Sequence, residues 1–212
     1  MRRLPVYLLL DTSGSMHGEP IEAVKVGLDT LVSALRQDPQ ALESAYLSVI
    51  TFDSAAQVLA PLTEMGAFQV PTIEANGTTE LGAALSLLAD RIQIEVTKST
   101  PEAKGDWKPL VFLFTDGMPT DNWQTGLAEL KKFTLGTFVA CAAGHGADSA
   151  LLKQITPDVV SLDAADAKAI SAYFKWISSS ISARSQSVEK GQKDSGGLSE
   201  LPPPPAEVNV VL

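Results

Sequence analysis

The chain has 212 residues, of which 45% are hydrophobic, so it is long enough to bury one ordinary hydrophobic core. Its formal net charge is -9, because 25 Asp and Glu outnumber 16 Lys and Arg. This acidic balance excludes nonspecific nucleic-acid binding, which needs clustered Lys and Arg. The single cysteine, Cys141, excludes a disulfide framework within the chain, and its apolar surroundings predict a buried, inert thiol.

The first residues combine a basic start with a short apolar run that ends at Asp11. This run is too short for a signal peptide and has no small-residue cleavage site. No stretch of the chain reaches the ~20 apolar residues that a membrane helix needs. We therefore expect a cytoplasmic protein that does not bind membranes.

The chain alternates apolar strand-like runs with helical patterns, which is typical of βαβ units. A first strand over 4–10 is followed by a helix over 20–36, in which apolar side chains recur at helical spacing. Strands over 45–52 and 56–62 form a pair, and Pro61 places the second of them at a sheet edge.

The second half of the chain continues this alternation. A helix over 80–95 precedes a strand over 109–115, and Asp121 is a plausible N-cap for the next helix, 122–133. The remaining predicted elements are strand 135–141, helix 148–155, strand 158–161 and helix 166–183. The sequence therefore predicts an α/β fold with a doubly wound, mostly parallel, six-stranded sheet and helices on both faces.

The composition changes abruptly at Ser185, where Ser, Gly and charged residues become frequent. We predict one globular domain over 1–184 and a flexible Ser, Gly and Pro-rich tail over 185–212. Residues 202–205, four prolines, are expected to form a stiff polyproline II spacer. The alternating end AEVNVVL leaves a second interpretation open, in which it adds a strand to an exposed sheet edge of this chain or of a neighbour.

A candidate cation site directly follows the first strand, in VYLLLDTSGSM. Asp11, Ser13 and Ser15 offer hard oxygen ligands, which suit Mg²⁺, Mn²⁺ or Ca²⁺. The alternative is a turn in which Asp11 and Ser13 bond only their own backbone.

Two further segments place oxygen atoms near the same edge of the predicted sheet. Asp116 follows the apolar run of PLVFLFTDGMP, and Thr78 and Thr79 lie in the NGTTELGAAL segment before a helix. Ligand sites in open parallel sheets lie outside the carboxyl ends of the strands. We therefore expect three loops to direct oxygen donors to one place.

Taken together, DxSxS at 11–15, the threonine of NGTTELGAAL and TDG at 115–117 resemble the von Willebrand factor A domain and its metal-ion-dependent adhesion site, over roughly residues 4–183. The resemblance implies a Rossmann-like fold with a Mg²⁺ site that Mn²⁺ or Ca²⁺ can also fill. Thr78 is favoured over Thr79 because it lies four residues before Gly82. The implied metal residues are Asp11, Ser13, Ser15, Thr78 and Asp116.

The same resemblance implies a protein–protein interaction module and not an enzyme. A Glu or Asp carboxylate of a partner protein would complete the metal coordination. The phrases TFDSAAQVLAPLT and TDGMPTDNW are similar to bacterial tellurium-resistance TerY-type proteins, which implies a stress-response system beside a kinase and a phosphatase. One alternative is a subunit that assists an ATPase or a metal-insertion complex. A Mg²⁺-dependent phosphohydrolase is disfavoured, because the chain has no GxxxxGK[ST] loop and no DxD pair at this site.

Several side chains that flank the metal loops could form a partly apolar rim that grips a protein partner. They are Met16, His17, Thr79, Met118 and Trp123. For Met16 and Met118 the alternative is burial beneath the loops. His17 is expected to be a solvated rim residue, not a ligand, since the other donors are all oxygen. Trp123 begins a predicted helix, and exposed indoles often anchor binding.

Overall fold

The computed structural model describes residues 2–189 and 196–212. Within these residues a seven-stranded sheet has the order β3-β2-β1-β4-β5-β6-β7. The strands are β1 Leu4–Asp11, β2 Ala45–Phe52, β3 Ala56–Glu64, β4 Leu110–Thr115, β5 Thr137–Ala143, β6 Asp158–Leu162 and β7 Asn209–Val210. The five central strands are parallel, while β3 and β7 are antiparallel to their neighbours at the two edges. The prediction of a mostly parallel, doubly wound sheet is thus confirmed, with β7 in addition to the six expected strands.

Helices cover both faces of this sheet. They are α1 Glu19–Gln37, α2 Pro39–Ser44, α3 Leu81–Glu95, α4 Trp123–Leu130, α5 Ser149–Ile155 and α6 Ala167–Glu189. Buried side chains of α1, α2 and α6 share one core cluster, and those of α3, α4 and α5 share the other. The short α2, which periodicity did not predict, starts with Pro39 and is capped by Asp38, whose carboxylate accepts from the Ala41 N–H. Among the helices of residues 2–189 and 196–212, none offers the apolar length needed to span a bilayer.

Strands β1, β4 and β5 are buried along their whole length, which explains their continuous apolar sequences. Side chains of β1 alternate between the two cores, with Leu8 and Leu10 on one face and Tyr7 and Leu9 on the other. The carboxyl ends of β1 and β4 lie side by side in the parallel register. Polar residues that follow these strands therefore emerge next to each other at the carboxyl ends of the central strands.

The C-terminal residues differ from the expected flexible tail. Helix α6 continues to Glu189, past the boundary expected at 184, and residues 196–212 pack against the domain. Leu201 and Val208 are buried, and β7 pairs with β6. The alternative interpretation, strand addition to a sheet edge, describes this end of the chain, and the edge is the chain's own. Residues 190–195 of the predicted tail lie outside the described residues.

Candidate metal centre

The loop after β1 and the loop before α3 are joined by backbone hydrogen bonds. The Gly14 N–H donates to the Gly77 carbonyl at 3.0 Å, and the Asn76 N–H donates to the Thr12 carbonyl at 2.8 Å. Gly77 has a φ of +72°, and a Cβ there would lie 2.2 Å from the Ser54 hydroxyl oxygen. Only glycine fits this position. The NGTT turn is therefore held directly beside the DTSGS loop.

The side chains of the first and third metal loops meet through their oxygen atoms. Asp11 Oδ1 accepts from the Ser13 N–H at 2.8 Å, so the local turn considered as the alternative does form. The loops are also joined across the site, since Ser13 Oγ lies 3.0 Å from Ser15 Oγ and Ser15 Oγ donates to Asp116 Oδ1 at 2.6 Å. The second Asp11 oxygen accepts from the Thr115 hydroxyl at 2.5 Å.

These spacings fit an octahedral cation. With metal–oxygen distances of about 2.0–2.1 Å, neighbouring ligand oxygens in an octahedron lie about 2.9 Å apart. The distance from Ser13 Oγ to Ser15 Oγ, 3.0 Å, is slightly longer than this value, and the distance from Ser15 Oγ to Asp116 Oδ1, 2.6 Å, is slightly shorter. In the described part of the chain no three His, Cys, Asp or Glu side chains converge to hold a metal, so a cation here depends on the hydroxyl groups. An all-oxygen donor set of this kind suits Mg²⁺, Mn²⁺ or Ca²⁺.

The electrostatics of the two carboxylates also favour a cation. Burial raises the pKa of Asp11, opposed by its hydrogen bonds with Ser13 and Thr115, and the nearby charge of Asp116 raises it further. Burial likewise raises the pKa of Asp116, against the hydrogen bond from Ser15. Both pKa shifts mean that the ionised carboxylates are poorly stabilised by the protein alone. A bound divalent cation would supply the missing positive charge.

The two threonines of the second loop occupy different environments. The Thr78 side chain is exposed, and its hydroxyl donates to the Ser54 hydroxyl at 3.3 Å. Thr79 is buried. A Cβ placed on Gly117, the neighbour of Asp116, would lie 3.5 Å from the Thr79 hydroxyl oxygen and 3.8 Å from the Ser15 hydroxyl oxygen. The contacts therefore favour Thr79 as the threonine that faces the metal loops, whereas the sequence spacing favoured Thr78.

The expected rim is only partly at the surface. Met16 is fully buried, so the alternative of burial beneath the loops describes it, and Trp123 is only 9% exposed within the core on the α3 side. Thr79 is buried as well. Met118, at 49% exposure, and His17, also exposed, remain available to a partner. Trp123 is buried because α4 packs closely against α3, which the sequence pattern alone does not reveal.

Sequence reasoning missed two residues that support the site. Thr115, the last residue of β4, is buried and donates to Asp11; its place in the TDG motif was the available signal. Asp121 was expected to cap the helix after it, but its carboxylate accepts from the Gly82 and Ala83 N–H groups of α3 at 2.9 and 2.8 Å. No pattern within one segment identifies such a contact, because Gly82 and Ala83 precede Asp121 by 39 and 38 residues in the chain.

Similarity to known proteins agrees with this geometry. One relative, the uncharacterized protein sll0103 of Synechocystis sp., is 34% identical over 123 residues. The match covers 55% of this chain and 26% of that protein. The chain therefore spans about a quarter of the length of this relative.

Solved structures share the fold at low sequence identity. Proximal thread matrix protein 1 of the mussel byssus, solved with a zinc-occupied metal-ion-dependent adhesion site, aligns with 84% of this chain and 48% of its own, at 19% identity and a TM-score of 0.61. The pilus adhesin SpaC of Lactobacillus rhamnosus GG aligns with 87% of this chain and 31% of its own, at 17% identity and a TM-score of 0.67. A von Willebrand factor type A protein of Catenulispora acidiphila aligns with 86% of this chain and 43% of its own, at 17% identity and a TM-score of 0.61.

The sequence model of the von Willebrand factor type A domain matches residues 6–175, which is well over half of the chain. This stretch begins in β1 and ends within α6, so it contains all three metal loops. The chain therefore belongs to the von Willebrand factor type A domain family.

Proposed function

We propose that this chain is a protein-binding module whose contact with its partner depends on a divalent cation, Mg²⁺ in the first place. The observation that carries the proposal is the run of closely spaced oxygens from Ser13 through Ser15 to Asp116, beside the buried carboxylate of Asp11. We assign the fifth metal residue to Thr79. When bound, the cation supplies an open coordination position for an Asp or Glu carboxylate of another protein. Domains of this family are typically interaction modules without enzymatic activity.

Cation binding can be tested by substituting the two carboxylates of the site. Asp11→Ala and Asp116→Ala should abolish stabilisation by Mg²⁺ and Mn²⁺ while the protein still folds. For a ligand at 100 times its Kd, the native state gains about 2.7 kcal/mol. In a protein of this size that gain corresponds to a Tm increase of about 5–10 °C. Thermal melts of chelated protein with and without each ion measure it.

Two matched controls separate the site from general charge effects. Glu74→Gln removes an exposed carboxylate near the same loops and should leave the ion-dependent Tm increase intact. Thr79→Ala should reduce the increase and Thr78→Ala should not. Equal Tm increases for wild type, Asp11→Ala and Asp116→Ala would show that the cation binds elsewhere or not at all.

Partner binding needs its own experiment. Affinity purification from the native host, with Mg²⁺ or with EDTA, should yield proteins that are retained only with the ion and lost with Asp11→Ala. The similarity of TFDSAAQVLAPLT and TDGMPTDNW to tellurium-resistance proteins supports a kinase or phosphatase of a stress-response system as the partner. Recovery of a ring-shaped ATPase or a metal-insertion complex would instead support the alternative role. Loss of tellurite tolerance on gene deletion, restored by wild type but not by Asp11→Ala, would place the protein in that system.

The proposal also predicts that the purified protein does not hydrolyse phosphate esters. With Mg²⁺ or Mn²⁺, its turnover of ATP and p-nitrophenyl phosphate should equal that of Asp11→Ala. Turnover above this background would favour the phosphohydrolase alternative.

A further inference from the structure

The start of α3 carries Thr79 and lacks a capping side chain of its own. Glu80 occupies the N-cap position, but its side chain makes no cap hydrogen bond. The first N–H groups of a helix have no partner within the helix, and an N-cap side chain usually accepts from the second or third of them. In α3 these are the N–H groups of Gly82 and Ala83.

Asp121 supplies the missing cap from another loop. Its two carboxylate oxygens accept separately from Gly82 and Ala83, at 2.9 and 2.8 Å. The contact needs a glycine, because a Cβ on Gly82 would lie 2.8 Å from Asp121 Oδ2 and 2.6 Å from the Asn122 carbonyl oxygen. The negative carboxylate is also favoured at the positive end of the α3 dipole. Asp121 thus fixes the start of α3 to the loop after β4.

Thr120, the neighbour of Asp121, adds a second pair of bonds between the same loops. The Thr79 N–H donates to the Thr120 hydroxyl at 3.1 Å, and the Thr120 N–H donates to the Thr79 carbonyl at 2.8 Å. Thr79 and Asp116 therefore belong to two segments that are joined by four hydrogen bonds, three of which depend on the side chains of Thr120 and Asp121.

We infer that Asp121 is a positioning residue of the metal centre, which sets the place of Thr79 relative to Asp116 by capping α3 from the loop that carries Asp116. The inference rests on the proposed cation site. Asp121 itself does not contact the metal residues in the hydrogen bonds described above; it acts through the α3 backbone.

The test compares metal affinity with stability in the full chain. Mn²⁺ binding is measured by calorimetric titration of chelator-treated protein, well below its Tm, and stability by urea unfolding in EDTA. Asp121→Ala should weaken Mn²⁺ binding by about tenfold or more, which is the lower end of the loss seen when groups that orient metal ligands are removed. Asp121→Asn should lose less Mn²⁺ affinity than Asp121→Ala, because its amide oxygen can still accept one of the two N–H bonds. Thr120→Val should also weaken binding.

A cap at another helix provides the matched control. Asp166 accepts from the Ala169 N–H at 2.8 Å at the start of α6, which packs on the opposite face of the sheet from α3. Asp166→Ala also removes a helix cap and one negative charge, so its Mn²⁺ affinity should stay within about twofold of wild type, as expected for an independent site. If Asp121 had a purely structural role, Asp121→Ala would lower the stability to urea and leave the Mn²⁺ affinity unchanged.

The outcomes are distinguishable. If wild type binds Mn²⁺ as tightly as Asp11→Ala does, the proposed cation site is wrong. If wild type binds Mn²⁺ through Asp11 but Asp121→Ala and Thr120→Val bind it as tightly as Asp166→Ala, the positioning role is overturned and the site remains. Should Asp121→Ala fail to fold, Asp121→Asn and Thr120→Val decide the question on the same two measurements.

Discussion

The packing of the C-terminal segment onto the domain can be tested with one substitution, Leu201→Ala. Leu201 is only 8% exposed and belongs to the core cluster formed with α1 and α6. Beside it, the Trp176 indole N–H donates to the Pro202 carbonyl at 2.8 Å, and Arg184 pairs with Glu200 at 2.9 Å. These contacts hold the segment over α6.

The size of the effect follows from this burial. Leu→Ala removes three carbon groups, and each buried methylene contributes about 0.8 kcal/mol, so the transfer loss is about 2.4 kcal/mol. Leu→Ala substitutions in cores cost about 2–5 kcal/mol, and a position at the edge of the core, where neighbours can relax, belongs at the low end. We therefore expect a loss of about 2–3 kcal/mol. With a urea m value of about 2–3 kcal/mol/M, the unfolding midpoint falls by about 1 M.

The assay is urea unfolding followed by tryptophan fluorescence and by circular dichroism, in EDTA so that metal binding does not contribute. Leu212→Ala is the matched control, since it is the same change in the same segment at a fully exposed position. It should leave the midpoint unchanged. If Leu201→Ala and Leu212→Ala both unfold at the wild-type midpoint with an unchanged m value, the segment contributes no packing energy and the reasoning is refuted.

Three further substitutions test other parts of the structure. Trp176→Phe removes the bond to Pro202 together with part of a buried ring, so it should cost at least about 1 kcal/mol in the same urea assay; no loss would show that this bond is unimportant. Asp106→Ala removes a nearly buried carboxylate that accepts two bonds from Arg3 and should cost about 2 kcal/mol. The loss should persist in 0.5 M NaCl, because burial limits screening, and its disappearance there would contradict a buried pair. Burial raises the pKa of Asp11 in the folded state, so without metal its contribution to stability falls as the pH rises above the unfolded carboxyl value. Melts in EDTA should show Asp11→Asn more stable than wild type at pH 7 and similar to it near pH 3, and a less stable variant at pH 7 would reverse the assumed sign.

Much of this protein could be read from local sequence because the relevant forces act locally. The buried strands β1 and β4 are continuous apolar runs that end at polar residues, so the order of residues alone placed Asp11 and Asp116 at strand ends. Pro61 marked β3 as an edge strand for the local reason that proline cannot donate a ladder hydrogen bond, and β3 does lie at the sheet edge. The oxygen donors of DxSxS likewise predict a hard divalent cation by their chemistry alone, and the identity of that cation stays a prediction.

Other features were decided only when distant segments came together. Thr78 and Thr79 are adjacent residues of the same type, and Ser54, from the hairpin between β2 and β3, accepts the hydroxyl of one while the other is buried beside Gly117. From the sequence, Asp121 could cap either its own helix or a neighbouring one. Because α3 and α4 approach closely, the Asp121 carboxylate accepts hydrogen bonds from the start of α3. The C-terminal segment has too little apolar surface to fold alone, but β6 offers an open edge and α6 an apolar surface. Its structure therefore exists only because the rest of the domain supplies the hydrogen bonds and the core that its own sequence lacks.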